Sequence, residues 1–185
     1  MIADIIKDAE QKMHGAVEFA KEEFGSIRTG RAHPAMFNKL LVDYYGSPTP
    51  LQQLASFQVP EARTILITPY DRSALAAAER AIRDSDLGVN PSNDGNTIRC
   101  ILPALTEERR KEYIKMARHK AEEGRVAVRN VRRHAIESVK RLEKDKEIGE
   151  DEAVRAEKAL DVSTKKFVDE IDELLKAKEQ DLIEV

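Results

Sequence analysis

Four arginines crowd into RVAVRNVRR at residues 125–133. A guanidinium is a planar fork of N–H donors that grips phosphate or carboxylate oxygens in pairs, so this density points to anion binding. At about 100° per helical residue, Lys111, Lys115, Arg118, Arg125, Arg129, Arg132 and Arg133 fall within an arc of about 100°. The apolar positions Ala117, Val128, Ala135 and Leu142 centre about 80° from Arg125 in the other direction, so the basic arc is not the core face. Residues 109–133 hold ten basic side chains against three acidic, whereas 150–185 hold six against twelve. The charge is segregated along the chain, and two readings follow. In one, the acidic segment neutralises the basic one, which can involve only cations near their interface. In the other, the remaining cations face an external polyanion. Like charges at i,i+4, such as Arg125 and Arg129, cost roughly a few tenths of a kcal/mol each without an anion. Aromatic residues are lacking on this face, which favours reading structured RNA by backbone and shape over base stacking.

Other reactive residues carry weaker signals. His14, His33, His119 and His134 are scattered and show no HExxH or Cys/His spacing, so no metal site is expected. NPSNDG at 90–95 superficially resembles a calcium loop. Counted from Asn90, however, the third ligand position is Ser92, and Ile101 stands at the twelfth, where a bidentate Glu is needed. It reads as a turn between strands. No nucleophile elbow or phosphate loop is present, so neither a catalytic residue nor a cofactor is expected. Tyr44 and Tyr45 read as strand packing, with an exposed contact at a domain tip as the alternative.

The elements that must position the basic face follow from composition and period. The chain has 185 residues, 31 Lys+Arg and 34 Asp+Glu, a formal charge of -3, so only local segregation of charge argues for nucleic acid. Charged residues make up 35% and aromatics 5%, with no Trp, which favours long solvated helices over an aromatic-rich core. No apolar run approaches the ~20 residues a membrane span needs, and no membrane partner is expected. MIADIIKDAEQK has no uninterrupted apolar stretch of the secretory kind. Cys100 is the only cysteine, so no intramolecular disulfide can form, which suits a cytoplasmic location.

Three segments read as helix. In the first, Ile2, Ile6, Ala9, Met13, Ala16, Ala20, Phe24 and Ile27 recur at steps of three and four, and Thr29, Gly30 and Pro34 end it. The second opens at Thr106 as N-cap, with Glu107 and Glu108 in its first turn, and lacks a full capping box because of Arg109. Its stripe is Ile114, Ala117, Ala121, Val128, Val131, Ala135 and Leu142, over about 40 residues or roughly 60 Å. Gly124 is tolerable within it if a neighbouring helix approaches closely. The third follows a turn at Ile148 and Gly149. Its seam of Leu160, Thr164, Phe167, Ile171, Leu174, Lys178 and Asp181 frays towards the C-terminus.

Residues 31–105 differ in texture. Six of the seven prolines lie from Pro48 to Pro103. Strands are expected at 40–45, 56–59, 64–68 and 97–102, connectors at 46–50 and 90–95, and a short helix at 73–85 with Gly88 at its C-terminal stop. The organisation is α+β: a discontinuous three-helix bundle, 1–30 with 105–185, carrying a small β/α/β insert, 31–104. The two crossings, with Gly30 in one and Leu102, Pro103, Ala104 and Leu105 in the other, form a natural hinge. Such a bundle satisfies its own stripes, so a monomer is expected.

IRTGRAHP (27–34), DYYGSPTPLQQLAS (43–56), DLGVNPSNDG (86–95), PALTEERRKE (103–112) and VAVRNVRR (126–133) together closely resemble the bacterial ribosome recycling factor family, in order and over the whole chain. The resemblance implies an L-shaped molecule that binds the post-termination ribosome and, with elongation factor G and its GTP hydrolysis, splits the subunits. It also implies contacts to large-subunit ribosomal RNA, mapped here onto Arg28, Arg31, Arg110, Arg129, Arg132 and Arg133. The chain departs from the family at Gly149, where a hydroxyl or acidic cap is usual. Two rival readings stand beside this one: a helical scaffold docking an acidic partner, and a small enzyme built on the insert.

Overall fold

The computed structural model describes residues 1–184. They run α1 (Ile2–Ser26), β1 (Leu41–Tyr44), β2 (Ser47–Pro50), the single turn α2 (Leu51–Leu54), β3 (Ala55–Glu61), β4 (Thr64–Pro69), α3 (Leu75–Asp84), β5 (Asn90–Asn93), β6 (Ile98–Ile101), α4 (Glu107–Lys144) and α5 (Glu150–Ile183). This is the α+β class expected, with the strands inserted between the first and second long helices. By contact density the chain forms two compact units. One joins Met1–Phe24 to Met116–Lys178, and the other joins Gly25–Lys115 to the residues from Glu179 on.

The helical unit packs α1, α4 and α5 through a seam rich in small side chains. Ala9, Ala135, Val139, Ile148, Ala153, Ala156 and Leu160 form one buried cluster, flanked by Ile2, Ile5, Ile6, Val131, Ile136 and Leu142. Further along, a Cβ added at Gly124 would lie 3.1 Å from Ile171 Cδ1 and 3.4 Å from Ala20 Cβ, so α1, α4 and α5 meet closely there. The close approach that makes a glycine tolerable inside α4 is therefore present at Gly124. Val17, not Ala16, carries the α1 seam at that level. Ser163, buried on α5, donates to Glu10 Oε1 of α1 at 2.8 Å.

Local chemistry sets the helix ends. The Thr106 hydroxyl accepts the backbone N–H of Arg109 at 3.1 Å, as an N-cap should. At the other end of α4, the Glu147 N–H reaches Leu142 O (2.9 Å) and the Lys146 N–H reaches Glu143 O (3.0 Å). This is a Schellman closure with Lys146 at φ 61, in place of the usual glycine. Ile148, two residues after Lys146, plugs into the seam. At Gly149, whose carbonyl accepts from Ala153 N at 3.1 Å, Glu150, Asp151 and Glu152 complement the dipole of α5 without a side-chain cap. The seam thins towards the C-terminus as expected, with Leu174 and Lys178 only half-buried and Asp181 exposed. α5 continues to Ile183, and Leu182, one residue past the expected Asp181, is fully buried.

The second unit holds an antiparallel four-stranded sheet in the order β3-β4-β6-β5 and a separate β1-β2 hairpin. α3 lies against β1 and β5. Its core includes Phe37, Val42, Leu51, Ile65, Ile67, Ile82, Ile98, Cys100 and Leu102. Two of its strands lie where connectors were expected. SPTP is β2, with Pro48 opposite Asp43 and Pro50 opposite Leu41, and NPSN is β5, with Pro91 opposite Cys100. Both are edge strands, where a residue without an N–H is tolerated. Tyr45 (φ 52) and Gly46 (φ 81) form the two-residue turn joining β1 to β2, whose double positive φ matches strand twist. The stop of α3 also differs from expectation. Ser85 makes it, its hydroxyl donating to Ile82 O at 2.6 Å, while Gly88 lies further on.

The seam geometry makes opposite outcomes expected for two glycines. Gly124→Val should lower stability by about 1–3 kcal/mol through overpacking. Gly15→Ala, in α1 with nothing within 4 Å of the added Cβ, should raise it by roughly 0.5–1 kcal/mol. Urea unfolding midpoints read both.

Candidate nucleic-acid interface

The basic residues of α4 divide by what their donors already hold. Arg125 is a tie between helices: its Nη1 donates to Asp172 Oδ1 of α5 at 2.7 Å and its Nε to Glu122 Oε2 at 3.1 Å, leaving its side chain 19% exposed. Arg132 donates from Nε to Asp161 Oδ1 at 2.6 Å and stays 39% exposed. Arg129 reaches only Glu122, at 3.9 Å, with 56% of its side chain exposed. Arg133 is exposed and has no hydrogen bond or ion pair among the described residues. The pairing order, 125 with 172 and 132 with 161, is that of antiparallel helices. Both readings of the charge pattern are thus represented in one face. The acidic helix takes Arg125 and one donor of Arg132, and most of the donors of Arg129, Arg132 and Arg133 are left over.

The other three expected RNA ligands, Arg28, Arg31 and Arg110, belong to the sheet-bearing unit, so the six fall into two groups. Arg31 is exposed and Arg110 half-buried, and neither side chain has a partner among the described residues. Arg28 is placed otherwise. It is 6% exposed, and its guanidinium donates to the carbonyls of Pro103 and Leu87. Its Nε is buried without a partner among the described residues. Burial, and then Arg109 nearby, press its pKa below the ordinary guanidinium value, while Tyr113 acts the other way. A Cβ at Gly88, which has φ +70, would sit 3.4 Å from Arg28 Nη1, so glycine leaves room for the cation there. In this conformation Arg28 braces three backbone segments instead of facing a phosphate. Nothing local in the sequence signals this, because Leu87 and Pro103 come together with it only through the fold.

The residues expected at the hinge are also placed. Leu102 is fully buried and its N–H donates to Arg63 O at 2.8 Å. Leu105 is buried, while Pro103 and Ala104 are exposed. Gly30 does not take a left-handed φ, and a Cβ there would meet only Glu184 O, at 3.9 Å.

Elsewhere, polar groups that resembled binding chemistry are already satisfied. Asp94 Oδ1 accepts the N–H groups of Asn96 (3.0 Å) and Thr97 (2.9 Å), which lowers its pKa and closes the turn. Tyr44 donates to Asp71 Oδ2 at 2.6 Å, and Tyr45, 80% exposed, stacks edge-on against Tyr44. The Tyr44 bond, followed by the Ser73 hydroxyl and N–H, draws Asp71 down to about 2, while the same bond to Asp71 raises Tyr44 to about 12. No grouping of three or more His, Cys, Asp or Glu suited to a metal occurs among the described residues. Among them, no helix is long and apolar enough to cross a membrane.

The chain thus belongs to the class of α+β proteins that combine a helical bundle, here with a segregated basic face, and a small antiparallel sheet. Comparison with known proteins narrows the class. The family model for ribosome recycling factor matches residues 20–183. The chain is 71% identical over 184 residues to the ribosome-recycling factor of Cutibacterium acnes, covering 100% of both chains. It is 65% identical over 185 residues to that of Kineococcus radiotolerans, again over 100% of both. A solution structure of ribosome recycling factor is 44% identical with a TM-score of 0.76, covering 100% of this chain and 98% of the other. The T. thermophilus ribosome recycling factor, bound with E. coli elongation factor G to the E. coli post-termination complex, is 41% identical with a TM-score of 0.71 over 100% of both. The chain belongs to the ribosome recycling factor family, whose members are translation factors and not enzymes.

Two outcomes follow from the buried and bridged groups. Arg28→Ala should cost about 1–3 kcal/mol in urea unfolding, since two carbonyls lose their donor and the stem its packing. Amide exchange at Gly88 and Ala104 should quicken in the same variant. Asp71 has a depressed pKa, so its stabilisation is present above the ordinary carboxyl value of about 3.9 and is lost as pH falls through about 2. In Tyr44→Phe the Asp71 carboxyl should titrate closer to the ordinary value by NMR, and the stability lost between about pH 4 and pH 2 should be smaller than in wild type.

Proposed function

We propose that this protein recycles post-termination ribosomes by docking the basic face of α4 on large-subunit ribosomal RNA. Elongation factor G, through its own GTP hydrolysis, supplies the work that separates the subunits. The observation that carries the reading is the set of uncommitted guanidinium donors at Arg129, Arg132 and Arg133, within little more than one helical turn, in a chain of this family. Phosphates relieve the mutual repulsion of these cations, and forked donors match phosphate oxygens. Arg31 and Arg110 are further RNA ligands in this reading, and Arg28 acts indirectly by bracing the backbone at Leu87 and Pro103.

No active site is required for this task. The factor contributes differential affinity: it must bind one ribosomal state better than another, because only that difference shifts an equilibrium. In this reading residues 1–30 and 105–185 form the docking domain and 31–104 the domain that elongation factor G displaces. Leu102 and Leu105 are anchored by burial, which leaves Gly30, Pro103 and Ala104 as the positions with room for backbone rotation. The protein acts as a cytoplasmic monomer without a cofactor.

The salt dependence of binding tests the phosphate reading. Arg129→Ala and Arg133→Ala should each weaken co-sedimentation with ribosomes and leave helicity unchanged. Each should also flatten the log–log salt slope by roughly 0.7–0.9 for every phosphate the variant no longer neutralises. Slopes identical to wild type in both variants would remove phosphate binding and favour docking to an acidic protein.

A further inference from the structure

We infer that Asp161 is a positioning residue for RNA docking: by holding Nε of Arg132, it presents the two Nη groups of that side chain as the fork for a phosphate. This deepens the reading above and rests on Arg132 meeting a phosphate. A guanidinium carries five N–H donors and offers two forked edges, one between Nε and an Nη and one between the two Nη groups. Asp161 Oδ1 occupies Nε at 2.6 Å, which blocks the first edge. Neither Nη group has a partner among the described residues, so the second edge is complete, on a side chain that is 39% exposed. Arg125, one heptad earlier on the same face, gives both Nε and Nη1 to carboxylates and keeps no complete edge. Arg129 is only loosely attached, at 3.9 Å, and Arg133 not at all, so neither is oriented before it meets a ligand. Of Arg125, Arg129, Arg132 and Arg133, only Arg132 is both aimed and available, and the residue that aims it lies on α5.

Asp161 exerts two opposing effects. Its charge repels an approaching phosphate, but 56% of its side chain is exposed, and through water and salt that repulsion is worth about a factor of two. Its hydrogen bond fixes a long, rotamer-rich side chain, and ordering one such side chain beforehand is worth about two- to tenfold in affinity. Positioning therefore outweighs repulsion. The two effects predict different signs once the carboxylate is replaced in two ways. Asn keeps an oxygen that accepts from Nε and loses the charge, whereas Ala loses both.

The experiment measures co-sedimentation of the full chain with purified large ribosomal subunits at fixed salt. The variants are Asp161→Asn and Asp161→Ala, each with Arg132 intact and with Arg132→Ala, and urea midpoints confirm folding. Asp161→Ala should weaken binding about two- to tenfold, and Asp161→Asn should bind at least as well as wild type. With Arg132→Ala in place, Asp161→Ala should weaken binding no further. If Asp161→Ala binds as tightly as wild type or tighter, Asp161 is only a neighbouring charge and the inference fails. It fails equally if Asn and Ala weaken binding alike, or if Ala weakens binding equally without Arg132. If Arg132→Ala alone leaves affinity unchanged, Arg132 meets no phosphate and the underlying reading is wrong at that residue. That outcome is distinct from a failure confined to Asp161.

Discussion

The interaction on which the rest of the helical unit depends is the close approach at Gly124, where Ala20 and Ile171 press on α4 at van der Waals distance. Small residues along the seam let three helices bury one another with a narrow strip of surface. α4 is 38 residues long, yet its buried positions are Ala117, Ala121, Gly124, Val128, Ala135 and Val139, none bulkier than valine. A wide polar arc therefore remains on each helix. The basic face exists because the core asks for so little of the circumference.

Electrostatics then divides that arc. A face made only of arginines would repel itself, and one fully matched by carboxylates would have nothing left for a polyanion. The molecule lies between these limits. α5 supplies Asp172, which immobilises Arg125, and Asp161, which engages Arg132 at one nitrogen only. Exposed ion pairs add little to stability, so the cross-helix pairs matter more for where guanidinium groups point than for holding the bundle together.

Much of this was legible in the sequence for identifiable reasons. The helices were, because apolar residues at 3.6-residue spacing have no other use in so charged a chain, and the Thr106 cap and the Gly124 approach followed from residue type. β2 and β5 were not, because prolines at edge positions imitate loops: the missing N–H that excludes a central strand is harmless at an edge. The segregation of charge was readable, but which arginines face a carboxylate depends on the register of α4 against α5, and no spacing within either helix encodes it. Leu182 was hidden by the polar residues around it. Arg28 was the least legible. A motif placed it among RNA ligands, whereas its burial comes from carbonyls at Leu87 and Pro103, both more than fifty residues away.

The single thiol has a use of its own. Cys100 lies in β6, an interior strand of the four-stranded sheet, fully buried, with its thiol pushed up to about 12 by desolvation and then by Glu79. Only the thiolate attacks electrophiles, so at neutral pH the native sheet is nearly silent towards alkylating and disulfide reagents. Any labelling of the unmodified chain must pass through an opening of the core that covers the inner face of β6. Its rate is therefore a chemical clock for how often the core between the small sheet and α3 opens.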